Sequence, residues 1–232
     1  MTNKVREEWK VYKDVFDEFT LRTLHKLSSQ GHFDELKSPI AVGKESNVYM
    51  ALKGDKKVVA KIYLLQACNF KRMYDYIKQD DRYTKLRKAR RQIIFSWVQR
   101  EYRNIMVARE AGVDVPKPIA VLNNVLVLEF IGNESAAPRL KDEWPKNKDK
   151  FFNDVIENMK KLHNAGIVHA DLSEYNILNW NDRPYFIDFS QGTAAKSLNA
   201  DELLDRDIRN ISKFFNKIGV KTSEEEIKKK II

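Results

Sequence analysis

An aspartate and an asparagine five residues apart, Asp171 and Asn176, lie in the string His169-Ala-Asp-Leu-Ser-Glu-Tyr-Asn176, and a second aspartate, Asp188, follows seventeen residues after the first. These residue types at this spacing suit phosphoryl transfer. That reaction leaves a protein little covalent chemistry to do, so the work is positioning and charge neutralisation. Asp171 is the candidate catalytic residue that orients a hydroxyl or a water. A carboxylate with an ordinary pKa of about 3.9 is a weak base, so aiming matters more than deprotonation. Asn176 is a candidate metal ligand. Asp188 ends the apolar run Tyr185-Phe-Ile-Asp188, and an acid at a strand terminus can hold Mg2+ against terminal phosphates. Taken singly, each of these also reads as a loop or turn residue. The joint spacing is what points to chemistry.

Two upstream strings complete the set. Val58-Val-Ala-Lys61 places a lysine inside an apolar run, where burial without a partner is costly. Lys61 is the candidate grip on the α- and β-phosphates, and Glu101 in Val98-Gln-Arg-Glu101-Tyr-Arg is its best carboxylate partner. Ala41-Val-Gly43-Lys-Glu-Ser46-Asn-Val48 keeps one glycine, Gly43, and the closing valine of a glycine-rich phosphate loop. Backbone N–H groups around Lys44 and the Ser46 hydroxyl are the candidate contacts there. Val48 and Ala60 are expected to roof an adenine slot. Leu178 and Ile187 are its expected floor, and Glu129, Phe130 and Ile131 its hinge.

The elements that must carry these residues follow from periodicity. Trp9, Tyr12, Phe16, Phe19, Leu24 and Leu27 recur at near-helical spacing, which predicts an amphipathic opening helix. Runs over 42–53 and 57–65, separated by Lys53-Gly54-Asp55-Lys56, predict a hairpin turning at Gly54-Asp55. Helices are predicted over 93–111, stopped at Gly112, and over 151–164, stopped near Gly166. A strand is predicted over 125–130, and two short strands bracket Asn181-Asp182-Arg183-Pro184. The last third reads as helical, with a capping box in Thr222-Ser-Glu-Glu225. The order predicts an α+β, bilobal chain: an N-terminal lobe of antiparallel sheet plus helix, then a reduced helical C-terminal lobe. The expected divisions are a helical extension over 1–32, an N-lobe over 33–131 and a C-lobe over 132–232, joined near 131–135.

Composition bounds the rest. In 232 residues, 43% are hydrophobic and 32% charged, as in a globular chain with a sizeable core. No apolar run approaches the ~20 residues of a membrane span, and the start has no signal-peptide hydrophobic region. Cys68 is the single cysteine, so no internal disulfide forms, and a cytoplasmic location is expected. The net charge of +9 is concentrated: Lys71, Arg72, Lys78, Arg82, Lys85, Arg87, Lys88, Arg90, Arg91 and Arg100 face only Asp75, Asp80 and Asp81 over 71–100. A solvated loop or an RNA-contacting segment both fit, with Tyr74, Tyr76, Tyr83 and Trp97 available for stacking.

The strings VHADLSEYNIL, FIDFSQG, GKESNVYMA and VAKIY resemble the RIO kinases, atypical serine/threonine protein kinases, over about residues 33–215. Without room for an N-terminal winged-helix domain, the chain is more similar to the type 1 subfamily. The resemblance implies a kinase core lacking the usual activation segment, ATP with Mg2+ or Mn2+, and serine autophosphorylation. It also implies a role in small ribosomal subunit maturation, with rRNA or the pre-ribosomal subunit as partner. It further implies ATPase activity through a phosphorylated aspartate at Asp188. Oligomeric state is left open. Two other readings stand beside it: a small-molecule kinase of the aminoglycoside or choline type, which shares the catalytic-loop pattern, and an assembly factor whose ATP site is only a switch.

Overall fold

The computed structural model describes residues 15–66, 70–78 and 89–232. Trp9, Tyr12, Cys68, Arg82, Tyr83, Lys85, Arg87 and Lys88 lie outside those residues. Among the described residues, no helix is long and apolar enough to cross a membrane. The chain divides into two compact units, one drawn from Met1–Tyr74, Leu86–Gln99 and Pro118–Phe130, the other from Asp75–Lys85, Arg100–Lys117 and Ile131–Ile232.

The first unit is built on an antiparallel five-stranded sheet in the order β1-β2-β3-β5-β4. Its strands are β1 (Glu35–Val42), β2 (Ser46–Lys53), β3 (Lys56–Tyr63), β4 (Pro118–Leu122) and β5 (Val125–Glu129). The predicted hairpin forms in register: Lys53 faces Lys56, so Gly54-Asp55 is a two-residue turn. The run predicted over 42–53 is interrupted, however. β1 stops at Val42 and a turn over 43–45 leads into β2, giving a strand that the mixed texture of 35–42 concealed.

Helix α1 (Glu18–Ser29) starts where Asp17 caps it: Thr20 N–H donates to the Asp17 carboxylate at 3.0 Å and the Thr20 hydroxyl at 2.8 Å. Its inward residues Leu24 and Leu27 join Phe16, Phe33, Tyr49 and Val127 in one apolar cluster. The Asn124 amide, with no exposed surface, ties helix to sheet by donating to Thr20 Oγ1 at 2.9 Å and to the Tyr63 carbonyl at 2.8 Å.

Helix α2 (Phe70–Ile77) begins the basic stretch, and α3 (Arg90–Glu110) follows it. The end of α3 is a Schellman cap. Gly112 N–H donates to the Arg109 carbonyl and Val113 N–H to that of Ala108, each at 3.0 Å.

The second unit holds α4 (Lys148–Asn164), α5 (Ala200–Lys217) and α6 (Glu224–Ile231). Small sheets pair β6 (Ile167–Val168) with β9 (Thr193–Ala194), and β7 (Ile177–Trp180) with β8 (Arg183–Phe186). α4 and α5 meet through aromatics: Phe152 and Phe215 lie 5.0 Å apart, Phe151 and Phe215 6.5 Å. Side chains of this size, fully buried, contribute roughly 1.5–3 kcal/mol each.

Two boundaries differ from expectation. Trp180 pairs with Arg183, so the hairpin turn is Asn181-Asp182 alone and Pro184 lies within β8. Both turn residues have positive φ, 53° and 58°, as a type I′ turn requires. The capping box of α6 is Ser223 with Glu226, one residue later than predicted. Thr222 cannot start the helix because Asn216 grips its backbone, donating to its carbonyl at 2.8 Å and accepting its N–H at 3.3 Å.

Candidate active site

The loop carrying Asp171 runs from β6 to β7, inside the second unit. Asn176 Nδ2 donates to the Asp171 carbonyl at 2.8 Å and to its carboxylate Oδ2 at 3.2 Å. The two sequence-predicted residues are therefore in contact, and the amide oxygen of Asn176 is the end turned away from Asp171. Ile187 N–H donates to the Asn176 carbonyl at 3.0 Å, bringing the residue before Asp188 against Asn176. His169, 2% exposed, has its Nε2 3.1 Å from the Ile187 carbonyl, so that nitrogen carries the proton. The histidine thereby fastens the start of the Asp171 loop to the strand end leading to Asp188.

Helix α5 supplies a support that the motif reading did not include. Asp207, 1% exposed, accepts the N–H groups of Ala170 and Leu172, both at 2.8 Å. Arg206 donates to the Ala170 carbonyl, and Asn210 Nδ2 to that of Leu172 at 3.1 Å. Ala170 needs this support, since its φ of 64° is a left-handed conformation that costs a non-glycine residue roughly 1–2 kcal/mol. Burial pushes the Asp207 carboxyl up to about 7, against the two N–H bonds and Arg206, which favour the charged form. A signal for Asp207 existed in the sequence. It falls on the apolar face of its helix, three and four residues after Leu204 and Leu203 and four before Ile211.

Asp188 does not end a strand as predicted. β8 stops at Phe186, and Asp188 sits at φ 63°, ψ 66°, just before a short 3-10 turn over Phe189–Gln191. A second left-handed non-glycine beside the first is the kind of backbone strain that concentrates at functional sites.

In the first unit, Lys61 lies on β3, a central strand, and is 7% exposed, with its ammonium 5.2 Å from the centroid of the Tyr63 ring. This buried setting excludes the snorkelling surface lysine. Glu101, in the second unit, has no exposed surface. Gly43 N–H donates to the Ser46 carbonyl at 3.1 Å, and a Cβ on Gly43 would sit 2.9 Å from that same oxygen, so glycine is required by close approach. Ser46 opens β2, while Lys44 is exposed in the turn before it.

Ala60 is a correction. Directly paired residues of antiparallel strands share a face, and Val48 pairs with Lys61 while Ala60 pairs with Tyr49. Ala60 therefore points into the apolar cluster with Tyr49 and Val127, opposite to Val48. The period of two puts Val59 on the Val48 and Lys61 face. Among the hinge residues, Glu129 ends β5, Phe130 follows it, and the carbonyl of Ile131 accepts the Ala137 N–H at 2.8 Å. In the second unit, Leu178 lies opposite Tyr185 on the β7–β8 hairpin, and Ile187 is half-buried just beyond it.

The described part of the basic stretch is partly spent within the fold. Arg100 is 1% exposed and Trp97 3%, so neither is available to RNA, contrary to expectation. Arg90 donates to the Gln66 carbonyl, Arg91 lies 4.9 Å from the Phe19 ring centroid, and Lys78 pairs with Asp75 at 3.2 Å. Tyr74 and Tyr76 are half-buried.

For a divalent cation, the described residues contain no cluster of three or more His, Cys, Asp or Glu side chains. Asn176 and Asp188 offer hard oxygens, and Mg2+ is commonly held by one or two carboxylates, with waters and substrate phosphates completing its shell. The donor set fits Mg2+ or Mn2+ and does not fit a structural zinc.

The family model for the RIO domain matches residues 47–228. The chain is 41% identical over 221 residues to the RIO-type serine/threonine-protein kinase Rio1 of Haloferax volcanii, covering 94% of this chain and 76% of that protein. It is 40% identical over 230 residues to that of Methanocaldococcus jannaschii, covering 98% and 79%. A crystal structure of the Rio2 kinase from Chaetomium thermophilum, in a complex with ADP, Mg2+ and phosphoaspartate, superposes with a TM-score of 0.71 at 24% identity, covering 93% of this chain and 67% of that one. That likeness shows the protein-kinase-like α+β fold. The chain belongs to the RIO domain family, and it is an enzyme of the RIO-type serine/threonine-protein kinase class.

Proposed function

We propose that this kinase takes the γ-phosphoryl group of ATP, with Mg2+ or Mn2+, and passes it to a serine hydroxyl, beginning with its own. The contact between Asn176 and Asp171, on a loop hung from Asp207, carries this reading. Lys61 holds the α- and β-phosphates. The turn at Gly43, Lys44 and Ser46 covers the phosphates. Val48 and Val59 of the first unit pack on adenine, with hinge backbone at Glu129 and Phe130. Asn176 and Asp188 bind the cation, which neutralises charge on the terminal phosphates. Asp171 aims the nucleophile.

A second acceptor is favoured by a specific observation. The Rio2 structure is of a phosphoaspartate complex, and Asp188 here has a left-handed backbone. In that reading an Asp188 oxygen attacks the γ-phosphorus, the bond to the β-phosphate bridging oxygen breaks, and ADP leaves. Water then hydrolyses the acyl phosphate, so the net reaction is ATP hydrolysis. Incubation with γ-labelled ATP separates the two. Acid-stable label on the protein is expected for phosphoserine, whereas hydroxylamine-labile label with steady phosphate release marks Asp188 as acceptor. Nucleotide binding with neither product sinks both and leaves the ATP-switched factor. The names of the relatives favour a protein kinase over a small-molecule kinase.

Val59 and Ala60, on opposite faces of β3, are expected to respond differently to substitution. Val59→Phe should weaken ATP binding at least 10-fold with little loss of stability. Ala60→Val should leave ATP affinity alone and cost about 1–3 kcal/mol from overpacking. Nucleotide titration and urea unfolding read the two effects, and the reverse pattern restores Ala60 to the adenine slot.

We propose an rRNA-containing small-subunit precursor as the partner, met through the basic stretch, and a cytoplasmic setting. The net charge of +9 supports a polyanionic partner. Arg90 and Arg91 have roles within the fold, so Arg87 and Lys88 are the cleaner test. Neutralising both should weaken RNA binding and lower the slope of log affinity against log salt by about 1.4–1.8. An unchanged slope removes RNA from this segment.

A further inference from the structure

Helix α3 carries Glu101 on its apolar side, and three residues later on that side lies Asn104, which also has no exposed surface. The function proposed above leaves Asn104 unused. Its Nδ2 donates two hydrogen bonds, to the Phe189 carbonyl at 3.2 Å and to the Gly192 carbonyl at 2.8 Å. Those carbonyls belong to the turn that Asp188 opens. Gly192 N–H also donates to the Phe189 carbonyl, at 3.0 Å, so the turn closes on itself and on Asn104 together.

The glycine is part of the device. A Cβ on Gly192 would stand 2.8 Å from Asn104 Nδ2 and 3.1 Å from the Phe189 carbonyl oxygen. Glycine is required here because the asparagine amide fills the space of a side chain. A left-handed aspartate persists only where its surroundings over-determine it. His169 fixes the chain on one side of Asp188, through Ile187, and Asn104 fixes it on the other.

We propose that Asn104, with Gly192 as its matched partner, is the positioning residue that aims the Asp188 carboxylate at the metal ion and couples helix α3 to metal binding. This rests on the reading of Asp188 as a metal ligand. Residues that orient a metal ligand from behind change metal affinity, typically by 10–100-fold on mutation.

The test uses the whole chain and a fluorescent ATP analogue, whose binding is titrated with Mg2+ and repeated in excess chelator. Thermal midpoints are recorded without nucleotide. Asn104→Ala and Gly192→Ala should each raise the half-saturating Mg2+ concentration about 10-fold or more, with metal-free analogue affinity unchanged. Gly192→Ala removes no polar group, so it stands as the measurement should Asn104→Ala fail to fold. A lower thermal midpoint with the Mg2+ midpoint in place overturns the proposal, because a purely structural contact would do that. Asp188→Asn is the control. If it raises the Mg2+ requirement and the other two do not, Asn104 has no such role and the metal reading of Asp188 stands. If it also leaves the requirement unmoved, Asp188 is no metal ligand and the proposal falls with that reading.

Discussion

Asp171→Ala is expected to lower the rate of phosphoryl transfer by about 10²–10⁴-fold, the usual contribution of a positioned proton acceptor, while ATP affinity changes less than about threefold. The separation of the two effects follows from the contacts. Asn176 holds Asp171 by two bonds, and the shorter one, at 2.8 Å, goes to the backbone carbonyl that alanine retains. The Ala170 and Leu172 N–H bonds to Asp207 are also backbone bonds and survive the substitution. The loop should therefore keep its shape and lose only the carboxylate that aims the nucleophile. Single-turnover measurement with γ-labelled ATP reads the chemical step, and a nucleotide titration reads binding. A rate within threefold of wild type would mean that Asp171 does not touch the reaction. Loss of binding and rate together would mean that it acts on ATP or on the fold.

Asp207→Ala is expected to damage both stability and rate. The N–H groups of Ala170 and Leu172 would be left in a buried place without an acceptor, at about 1–3 kcal/mol each. The sum, roughly 2–6 kcal/mol, is a large share of the 5–15 kcal/mol that holds an ordinary domain together. Ala170 would also lose restraint on its left-handed backbone, so the loop should spend less time in the geometry that aims Asp171. Urea unfolding gives the first quantity, and the transfer rate at saturating ATP the second. A loss under about 1 kcal/mol would mean that water replaces the carboxylate and the helix is no anchor.

Asp207 also sets a pH dependence. Burial raises its carboxyl from the ordinary 3.8 to about 7. Between those values the folded chain holds a proton that the unfolded chain has released. Stability from this group is therefore complete below about pH 4, falls as pH rises through the window, and is lost above about pH 7. The ceiling is about 1.4 kcal/mol for each pH unit crossed. Subtracting the stability profile of Asp207→Asn from that of wild type isolates the contribution, since the amide does not titrate. A difference profile that is flat from pH 4 to 7, or that rises, contradicts the raised value.

The candidate catalytic strings were legible because phosphoryl transfer demands particular residue types at particular separations along one loop. Asp171 and Asn176 are five residues apart and touch directly, so local spacing was enough to find them. The hairpin that carries Lys61 was legible for a similar reason, since a two-residue Gly54-Asp55 turn fixes the register of everything beyond it. Helices α3 and α4 announced themselves through apolar residues at helical spacing and through the stops at Gly112 and Gly166.

What the tertiary structure decided is which residues meet across long separations. Asp207 lies 37 residues from Ala170, and Asn104 lies 85 from Phe189. Local spacing carries no term for such pairings, and an acid or an asparagine on an apolar helix face shows only that some partner exists. The direction of Ala60 was decided by strand pairing, because a one-residue step reverses the face and composition does not distinguish Val59 from Ala60. Arg100 and Trp97 counted as basic and aromatic surface in the sequence until helix packing buried them. The candidate site of this kinase is thus written in short strings. The left-handed backbones at Ala170 and Asp188 lie beside hydrogen bonds from helices that no local pattern ties to them, because those bonds close only once the chain has folded.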